Sequence, residues 1–182
     1  MTRQNTNLMV DLETLGTRPG CAILTIAAVP FASPHAVEPF YLRISTESSL
    51  QSGFHTDDAT VAWWGKQSAE ARDEAMGGTL DVKSALYAFS EYCNHLPYAP
   101  IVWGNGANFD NAILAEAYKI VGMKQPWKYT DDRCYRTLKE LYPHIPYIKP
   151  KVAHHAFQDA LAQAEHAARI FEWIRGRAQE KF

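Results

Sequence analysis

The chain has 182 residues and a mass of 20.5 kDa, and 47% of its residues are hydrophobic and 21% charged. These values exclude a disordered chain, a fibrous repeat and a small disulfide scaffold, and they predict one globular domain over residues 1–182 with a sizeable core. Because 18 basic residues oppose 20 acidic ones, the net charge is −2, which by itself indicates neither a nucleic-acid-binding nor a membrane-binding protein.

The cysteines and the N-terminus bear on cellular location. Cys21, Cys93 and Cys134 are an odd number without Cys-x-x-Cys spacing, which favours a reducing compartment and argues against disulfides and a structural zinc site. Residues 1–7 lead into a short apolar run interrupted by Asp11, so they lack the apolar core of a secretory signal. No segment approaches the roughly 18 apolar residues of a membrane-spanning helix. We therefore expect a cytoplasmic protein without a membrane partner.

The first half of the chain changes from strand to helix patterns. Apolar runs bounded by turn residues predict strands at 8–13, 21–32 and 39–44, which we expect to pair as an antiparallel meander. Apolar residues at intervals of three or four then predict helices at 60–76 and 81–96.

The second half alternates between the two patterns. A short buried strand at 100–103 precedes a helix at 108–121, and a β segment near 127–130 precedes a helix at 131–141. A last helix is predicted at 156–175. The fold class is therefore α/β, a mixed sheet of about five strands in which later, parallel strands follow an antiparallel meander and helices cover both faces.

Two acidic residues stand in the first predicted strand. Asp11 and Glu13 are two residues apart, so both carboxylates leave the same face of the sheet. Leu8, Val10 and Leu12 point to the opposite face and into the core. Adjacent carboxylates near the centre of a sheet repel each other and resist desolvation, which a divalent metal ion would relieve. The alternative is a frayed strand end that faces water.

A further acidic residue, Asp110, lies at the junction after the strand at 100–103. The segment from Gly104 to Asp110 begins a helix, so Asp110 stands at the carboxyl end of a strand, where open α/β sheets place their ligands. Alternatively, Asp110 is only a first-turn residue favoured by the helix dipole. The glycines also suggest a dinucleotide loop, but Phe109 replaces the third glycine, which weakens that interpretation.

A third cluster precedes the last predicted helix. If this helix begins near Ala156, Asp159 lies in its first turn and His154 lies on the loop just before it. A histidine with an aspartate five positions later is common by chance. Here the pair gains weight because it joins the acidic residues of the first strand and of the later strand-to-helix junction.

These segments resemble the three motifs of the DEDDh family of 3′-5′ exonucleases, in the usual order on a ribonuclease-H-like fold, and the resemblance covers the whole chain. Finer features at 11–20, 62–67 and 127–133 resemble its mycobacterial 3′-5′ exoribonuclease-like branch and phage exonuclease relatives. The tyrosine subtype has Tyr four residues before the last Asp, where this chain has His155. His154, five residues before Asp159, fits the histidine subtype, and His155 is interpreted as a surface or capping residue.

The resemblance implies hydrolysis of the 3′-terminal phosphodiester of a single strand with release of nucleoside 5′-monophosphates. Two Mg²⁺ or Mn²⁺ ions about 3.5–4 Å apart would stabilise the attacking and leaving oxygens. Asp11 would bridge both ions, and Glu13, Asp110 and Asp159 would complete their ligand shells. His154 would act as general base, since an unperturbed imidazole pKa is about 6.5.

Substrate contacts are expected at the terminal nucleotides only. The candidate substrate-binding residues beside the first two motifs are Thr14, Leu15, Asn105, Asn108 and Phe109. Trp63 and Trp64 diverge by about 100° on a helix, so only one can face the core. The other, for which we take Trp63, is a candidate platform for base stacking; the alternative is that both are packing residues.

The sequence is consistent with several functions. RNA is favoured by the branch resemblance, whereas the phage relatives keep a 3′-5′ exodeoxyribonuclease as an alternative. A catalytically silent binding module would be expected to have lost one of the five motif residues, and none is missing. Another two-metal phosphoesterase on the same fold is not excluded by the carboxylates. The resemblance also implies a homodimer.

The net charge hides an uneven distribution. Residues 1–118 carry 6 basic and 13 acidic side chains, residues 119–151 carry 8 and 3, and residues 152–182 carry 4 and 4. Two divalent ions would change the net charge from −2 to about +2. The candidate phosphate contacts are Lys119, Lys124, Lys128, Arg133, Arg136, Lys139, Lys149 and Lys151. A solvated helix face accounts equally well for several of them.

Overall fold

A computed structural model describes residues 4–150 and 154–179 of the chain. The strands are β1 (Thr6–Thr14), β2 (Ile23–Phe31), β3 (Phe40–Arg43), β4 (Pro100–Gly104) and β5 (Asp132–Cys134). The helices are α1 (Thr46–Gln51), α2 (Asp58–Trp64), α3 (Ala69–Met76), α4 (Val82–Asn94), α5 (Asp110–Ile120), α6 (Tyr135–Leu141) and α7 (Ala156–Gln179), with a short 3-10 helix at Tyr129–Asp131. No helix among these described residues has the length and hydropathy of a membrane-spanning segment.

The five strands form one mixed sheet in the order β3-β2-β1-β4-β5. β1 pairs with β2, and β2 with β3, in antiparallel orientation. β4 pairs in parallel with β1 on one side and with β5 on the other. This arrangement confirms the predicted meander followed by parallel strands, and it puts β1 at the centre of the sheet.

The two faces of the sheet have separate apolar cores. Leu8, Val10 and Leu12 of β1 belong to the core that includes residues of α4 and α5. Met9 belongs to the opposite core, where alanines of α7 such as Ala160 pack closely on the sheet. Helices therefore cover both faces, as predicted, and Asp11 and Glu13 leave β1 toward α7 because side chains alternate along a strand.

The prediction of a single helix at 60–76 is wrong, because this segment forms parts of two helices, α2 and α3. Gly65 lies at the C-terminus of α2, and Ser68 is the N-cap of α3. Ser68 Oγ accepts a hydrogen bond from the backbone N–H of Ala71 at 3.2 Å, which is the interaction that makes serine favourable at this position. A similar serine cap at residue 45 begins α1, a helix that the sequence analysis does not predict.

The predictions of a β segment near 127–130 and a helix from 131 are also wrong. The 3-10 turn comes first, the strand follows it, and α6 begins only at Tyr135. The indole Nε1 of Trp127 donates a hydrogen bond to Asp132 Oδ1 at 2.9 Å. The Trp127 side chain is thus buried in the core just before the strand. Its apolar character reflects this packing and does not indicate that Trp127 belongs to a strand.

Candidate active site

Three of the predicted acidic residues meet on the face of the sheet that α7 covers. Asp11 and Glu13 extend from β1, and Asp159 extends from the first turn of α7. One carboxylate oxygen from each lies within 4.8 Å of the others. Residues more than 140 positions apart in the sequence are therefore brought into one cluster by the packing of α7 on the central strand.

Asp110 lies beside this cluster and is fixed by backbone hydrogen bonds. The pairing of β4 with β1 ends at Met9, which leaves the Leu12 N–H free to donate to Asp110 Oδ1 at 3.2 Å. The Asn105 N–H donates to Asp110 Oδ2 at 3.1 Å. Only 3% of Asp110 is exposed. The loop between β4 and α5 thus directs this carboxylate toward the centre of the sheet.

Burial and mutual repulsion raise the pKa values of these acids. Loss of solvation, followed by the charges of Asp159 and Asp110, raises the pKa of Glu13 to about 8. The pKa of Asp11 is also well above its ordinary range, first because of burial and then because of Asp110, Glu13 and Asp159. Burial raises the pKa of Asp110 to about 7 although the Leu12 N–H opposes the shift. The cluster is therefore unfavourable as a set of bare anions.

The donor set fits hard divalent cations. Carboxylate oxygens are the ligands that Mg²⁺ and Mn²⁺ prefer, and a cation would remove the repulsion that raises the acid pKa values. Gln163 orients the cluster, because its Nε2 donates a hydrogen bond to Asp11 Oδ1 at 2.8 Å. The Gln163 Oε1 is buried and accepts no hydrogen bond within the described part of the chain. Gln163 is not among the residues predicted from the motifs, although it stands four residues after Asp159 and hence on the same helix face.

His154 and His155 form the junction that leads into α7. His154 is exposed and has a backbone φ of +58°, a left-handed conformation that is uncommon outside glycine. Burial raises the pKa of Asp159, whereas the His155 N–H and the nearby His154 side chain oppose that rise. The structure therefore brings His154 close to the acidic cluster, where the sequence predicts it.

A cavity of about 420 Å³ opens beside Glu13. Thr14, Trp63 and Phe109, three of the predicted substrate-binding residues, line it. Trp63 is 38% exposed, and the centroid of its ring lies 4.7 Å from the centroid of the His154 ring in an edge-to-face arrangement. Trp64 is buried and its Nε1 donates to the Thr14 carbonyl at 2.9 Å. Both tryptophans line the cavity, but Trp64 is packed into the core whereas the Trp63 ring is accessible.

Three other candidates lie outside the cavity lining. Leu15 is buried in the core, and its N–H donates to the Ala22 carbonyl at 2.9 Å. Asn108 is exposed in the loop before α5. Asn105 binds Asp110 through its N–H, so it contacts the acidic site through its backbone.

The turn after β1 is tied to α2, a feature that the sequence analysis missed. Asp57, the residue before α2, accepts a hydrogen bond from the Thr17 N–H at 3.0 Å and pairs with Arg18 Nη2 at 3.1 Å. These contacts hold the pKa of Asp57 below its ordinary value. They also fix the cavity wall that carries Trp63 relative to Glu13.

Arg136, one of the predicted phosphate contacts, touches the second motif. Its Nη2 donates to the Asn105 carbonyl at 2.6 Å. Lys119 pairs with a glutamate of its own helix at 2.9 Å, and Lys139 lies over two tyrosine rings. Lys151 lies outside the described residues.

Comparisons with known sequences agree with the motif analysis. Residues 6–171 match the family described as the Rv2179c-like 3′-5′ exoribonuclease domain. The chain is 28% identical over 123 residues to the exodeoxyribonuclease of Enterobacteria phage T4, a match that covers 60% of this chain and 54% of that relative. The chain thus spans about half the length of this curated relative.

Solved structures with a similar fold include two complexes of Escherichia coli exonuclease I. The complex with a dA16 oligonucleotide has a TM-score of 0.63 and 17% identity, covering 95% of this chain and 43% of that one. The complex with a 5cy-dT13 oligonucleotide has a TM-score of 0.64 and 16% identity, covering 96% and 44%. The predicted ribonuclease-H-like exonuclease fold is therefore confirmed. Since the family match extends over nearly all of the chain, this protein belongs to the Rv2179c-like family of 3′-5′ exonuclease domains.

Proposed function

We propose that this chain hydrolyses the 3′-terminal phosphodiester of single-stranded nucleic acid, with RNA favoured over DNA, and releases nucleoside 5′-monophosphates. The observation that carries this proposal is the convergence of the Asp11, Glu13 and Asp159 oxygens within 4.8 Å, beside a cavity of nucleotide size. Asp110 and His154 stand at the margin of the same cluster.

The carboxylates of Asp11, Glu13, Asp110 and Asp159 would hold two Mg²⁺ or Mn²⁺ ions. When bound, such ions lower the pKa of a water molecule and stabilise the charge that develops on the attacking and leaving oxygens. Gln163 holds Asp11 in one orientation, and the backbone N–H groups of Leu12 and Asn105 do the same for Asp110.

His154 supplies the general base in this proposal. Its exposed ring lies near the acidic cluster, and a neutral imidazole nitrogen can accept a proton from the attacking water near neutral pH. The contact with Trp63 restrains the ring against the cavity edge.

The cavity would receive the 3′-terminal nucleotide. Trp63 and Phe109 offer aromatic surfaces to the base, and base stacking on such a ring contributes about 1–3 kcal/mol. Stacking on an aromatic ring tolerates any base, so we expect little dependence on sequence. Binding of a single terminal nucleotide fits a protein whose net charge is close to zero.

A 3′-5′ exodeoxyribonuclease is the second candidate. It is favoured by the phage T4 exodeoxyribonuclease, to which the chain is 28% identical, while the description of the matched family favours RNA. The two functions differ in how the site treats the terminal 2′-hydroxyl. A homodimer is a further part of the proposal, and light scattering would distinguish a mass of 20.5 kDa from twice that value.

The experiment compares RNA and DNA oligonucleotides of the same sequence, each with a free or a blocked 3′ end, in Mg²⁺ and in Mn²⁺. We expect strands with free 3′ ends to shorten stepwise, blocked strands to resist, and RNA to be degraded faster. Faster degradation of DNA would replace the first candidate by the second. If the protein bound the strands but degraded none of them, a binding module would be the better interpretation.

A further inference from the structure

His155 has no role in the chemistry proposed above, yet its ring is held by two other elements. The ring of Tyr41, on β3, lies 5.4 Å from the His155 ring at an interplanar angle of 32°. On another side, His155 Nε2 lies 3.7 Å from Glu74 Oε1 on α3. Only 23% of the His155 side chain is exposed. This partial burial does not fit the surface alternative predicted for His155, whereas its position directly before α7 agrees with the capping alternative.

Glu74 joins the two contacts into one unit. The Tyr41 hydroxyl donates a hydrogen bond to Glu74 Oε1 at 2.7 Å, the same oxygen that faces His155. The other carboxylate oxygen lies 3.7 Å from Arg43 Nη1. The Glu74 carboxylate thus connects α3 with β3 and with the junction before α7, because side chains from both approach it.

The docking of α3 depends on these polar contacts. Ala75 is the fully buried residue of this helix, so its apolar contribution is small. Arg43 donates a further hydrogen bond to the Asp73 carbonyl and approaches Gly77 so closely that a Cβ there would collide with the guanidinium. The end of α3 is therefore held on β3 by Arg43 and on the His155 junction by Glu74.

The same junction is also contacted from α2. Arg72 of α3 donates to the Gln67 carbonyl at 2.6 Å, which links α3 to the segment after α2. Trp63 of α2 meets the His154 ring at 4.7 Å. Two consecutive helices therefore contact the two consecutive histidines, one each, while the His155 N–H donates to Asp159 Oδ2 at 3.3 Å.

We propose that Glu74 and Tyr41 are positioning residues, which hold the His155 ring and thereby fix the backbone junction that presents His154 to the carboxylate cluster. This inference rests on the proposed function, because it assigns to His154 a position that matters for hydrolysis. The left-handed backbone of His154 gives the physical reason: an uncommon conformation persists only where the surrounding contacts determine it.

The test compares Glu74→Ala, Glu74→Gln and Tyr41→Phe, with Glu70→Gln as the control for loss of one charge on the same helix. In Glu74→Ala we expect kcat to fall roughly tenfold with KM changed by less than about twofold, because the base is misplaced while the nucleotide cavity is intact. Glu74→Gln keeps an acceptor for Tyr41 and should recover most of kcat. Glu70→Gln should behave as wild type.

Hydrogen exchange provides a readout that does not depend on catalysis. We expect the amides of residues 155–159 to exchange faster in Glu74→Ala and in Tyr41→Phe, while the melting temperature and the exchange of the central strands stay as in wild type. Tyr41→Phe removes one hydroxyl and keeps the ring, so it tests the contact even if Glu74→Ala folds poorly.

Unchanged kcat and unchanged exchange at 155–159 in both variants would overturn the proposal. A fall in kcat accompanied by a lower melting temperature and by faster exchange throughout the chain would also overturn the proposal. That pattern would indicate that Glu74 and Tyr41 have a structural role only. If the wild-type protein hydrolyses no strand, the proposed function fails, and the exchange measurement still decides whether Glu74 and Tyr41 hold the junction.

Discussion

At the scale of single residues, the site is defined by buried acids whose charged forms are unfavourable without a cation. Glu13 and Asp11 share a buried face of the sheet with Asp159, and the charge of Asp159 adds to burial in raising the pKa of both. Gln163 donates a hydrogen bond to Asp11, which partly offsets the cost of burying that carboxylate. The electrostatic repulsion in this cluster therefore supports the proposed metal site.

The raised acid pKa values predict how stability depends on pH without metal. The pKa of Glu13 rises from an ordinary 4.5 to about 8, so the folded protein binds this proton more tightly than the unfolded chain. The contribution of protonated Glu13 to the free energy of unfolding is fully present below pH 4.5 and is lost as pH rises through 8. In EDTA, Glu13→Gln should therefore melt higher than wild type at pH 8.5, by roughly 3 °C for each kcal/mol recovered, and the difference should vanish near pH 4.5.

The same variant should respond less to metal. Addition of Mn²⁺ is expected to raise the melting temperature of wild type more than that of Glu13→Gln, because binding to the folded state alone stabilises it. An equal shift in both proteins, or a Glu13→Gln variant that melts lower in EDTA at pH 8.5, would contradict the role assigned to this carboxylate.

The adjacent tryptophans provide a matched pair of substitutions. Trp63→Ala should raise KM for a single-stranded oligonucleotide about tenfold with little change in stability, because it removes a stacking surface of about 1–3 kcal/mol. Trp64→Ala should instead destabilise the fold by roughly 3–5 kcal/mol, since the side chain is buried. Urea unfolding and KM would distinguish them, and equal losses of stability would mean that both are packing residues.

At the scale of elements, α7 connects the site to the segment that precedes it. His166 of α7 is 1% exposed, and its Nδ1 lies 2.7 Å from the Tyr135 hydroxyl. Its Nε2 lies 2.9 Å from the Ile145 carbonyl. Both contacts suit a neutral ring that carries its proton on Nε2. This ring therefore ties α6, α7 and the connection between them.

This buried histidine predicts a second pH effect, of opposite sign. Burial lowers the pKa of His166 below its ordinary 6.5, so the unfolded chain binds that proton more tightly. Its stabilising effect is complete above pH 6.5 and is lost as pH falls through the lowered pKa. The urea midpoint of wild type should exceed that of His166→Gln most at pH 8 and least at pH 5. A difference that stays constant between these values would contradict the assignment.

Much of the element order follows from the sequence, and the errors have local causes. Alternation along β1 correctly predicts which face carries Asp11 and Glu13, because side-chain direction in a strand is fixed by period two. The break between α2 and α3 depends on one serine cap, a contribution of about 1 kcal/mol that apolar periodicity does not register.

The contacts between distant elements could not be predicted in the same way. The hydrogen bond from Leu12 to Asp110 exists because β4 stops pairing with β1 at Met9, and strand register is a tertiary property. The cluster around Glu74 likewise requires α3 to lie on β3, which no pattern in the sequence specifies. Motif spacing locates the reactive groups, whereas the residues that hold them emerge only from the fold.

At the scale of the whole molecule, the charge distribution agrees with an enzyme that acts on a strand end. The chain carries −2 overall, and two bound divalent ions would bring it to about +2. Several of its lysines and arginines are engaged within the protein, as the Lys119 ion pair and the Arg136 hydrogen bond illustrate. We therefore expect weak binding to long strands and a shallow dependence of affinity on salt, compared with proteins that contact many phosphates.

The most direct test of the central claim follows a 5′-labelled RNA strand with Mn²⁺ present and compares wild type with Asp110→Asn and His154→Ala. Glu172→Gln, an exposed change on α7, is the control. We predict that wild type and control shorten the strand stepwise from its 3′ end, and that each site variant is slower by roughly 100-fold or more at an unchanged fold. Digestion by both site variants at the wild-type rate would contradict the active site described above.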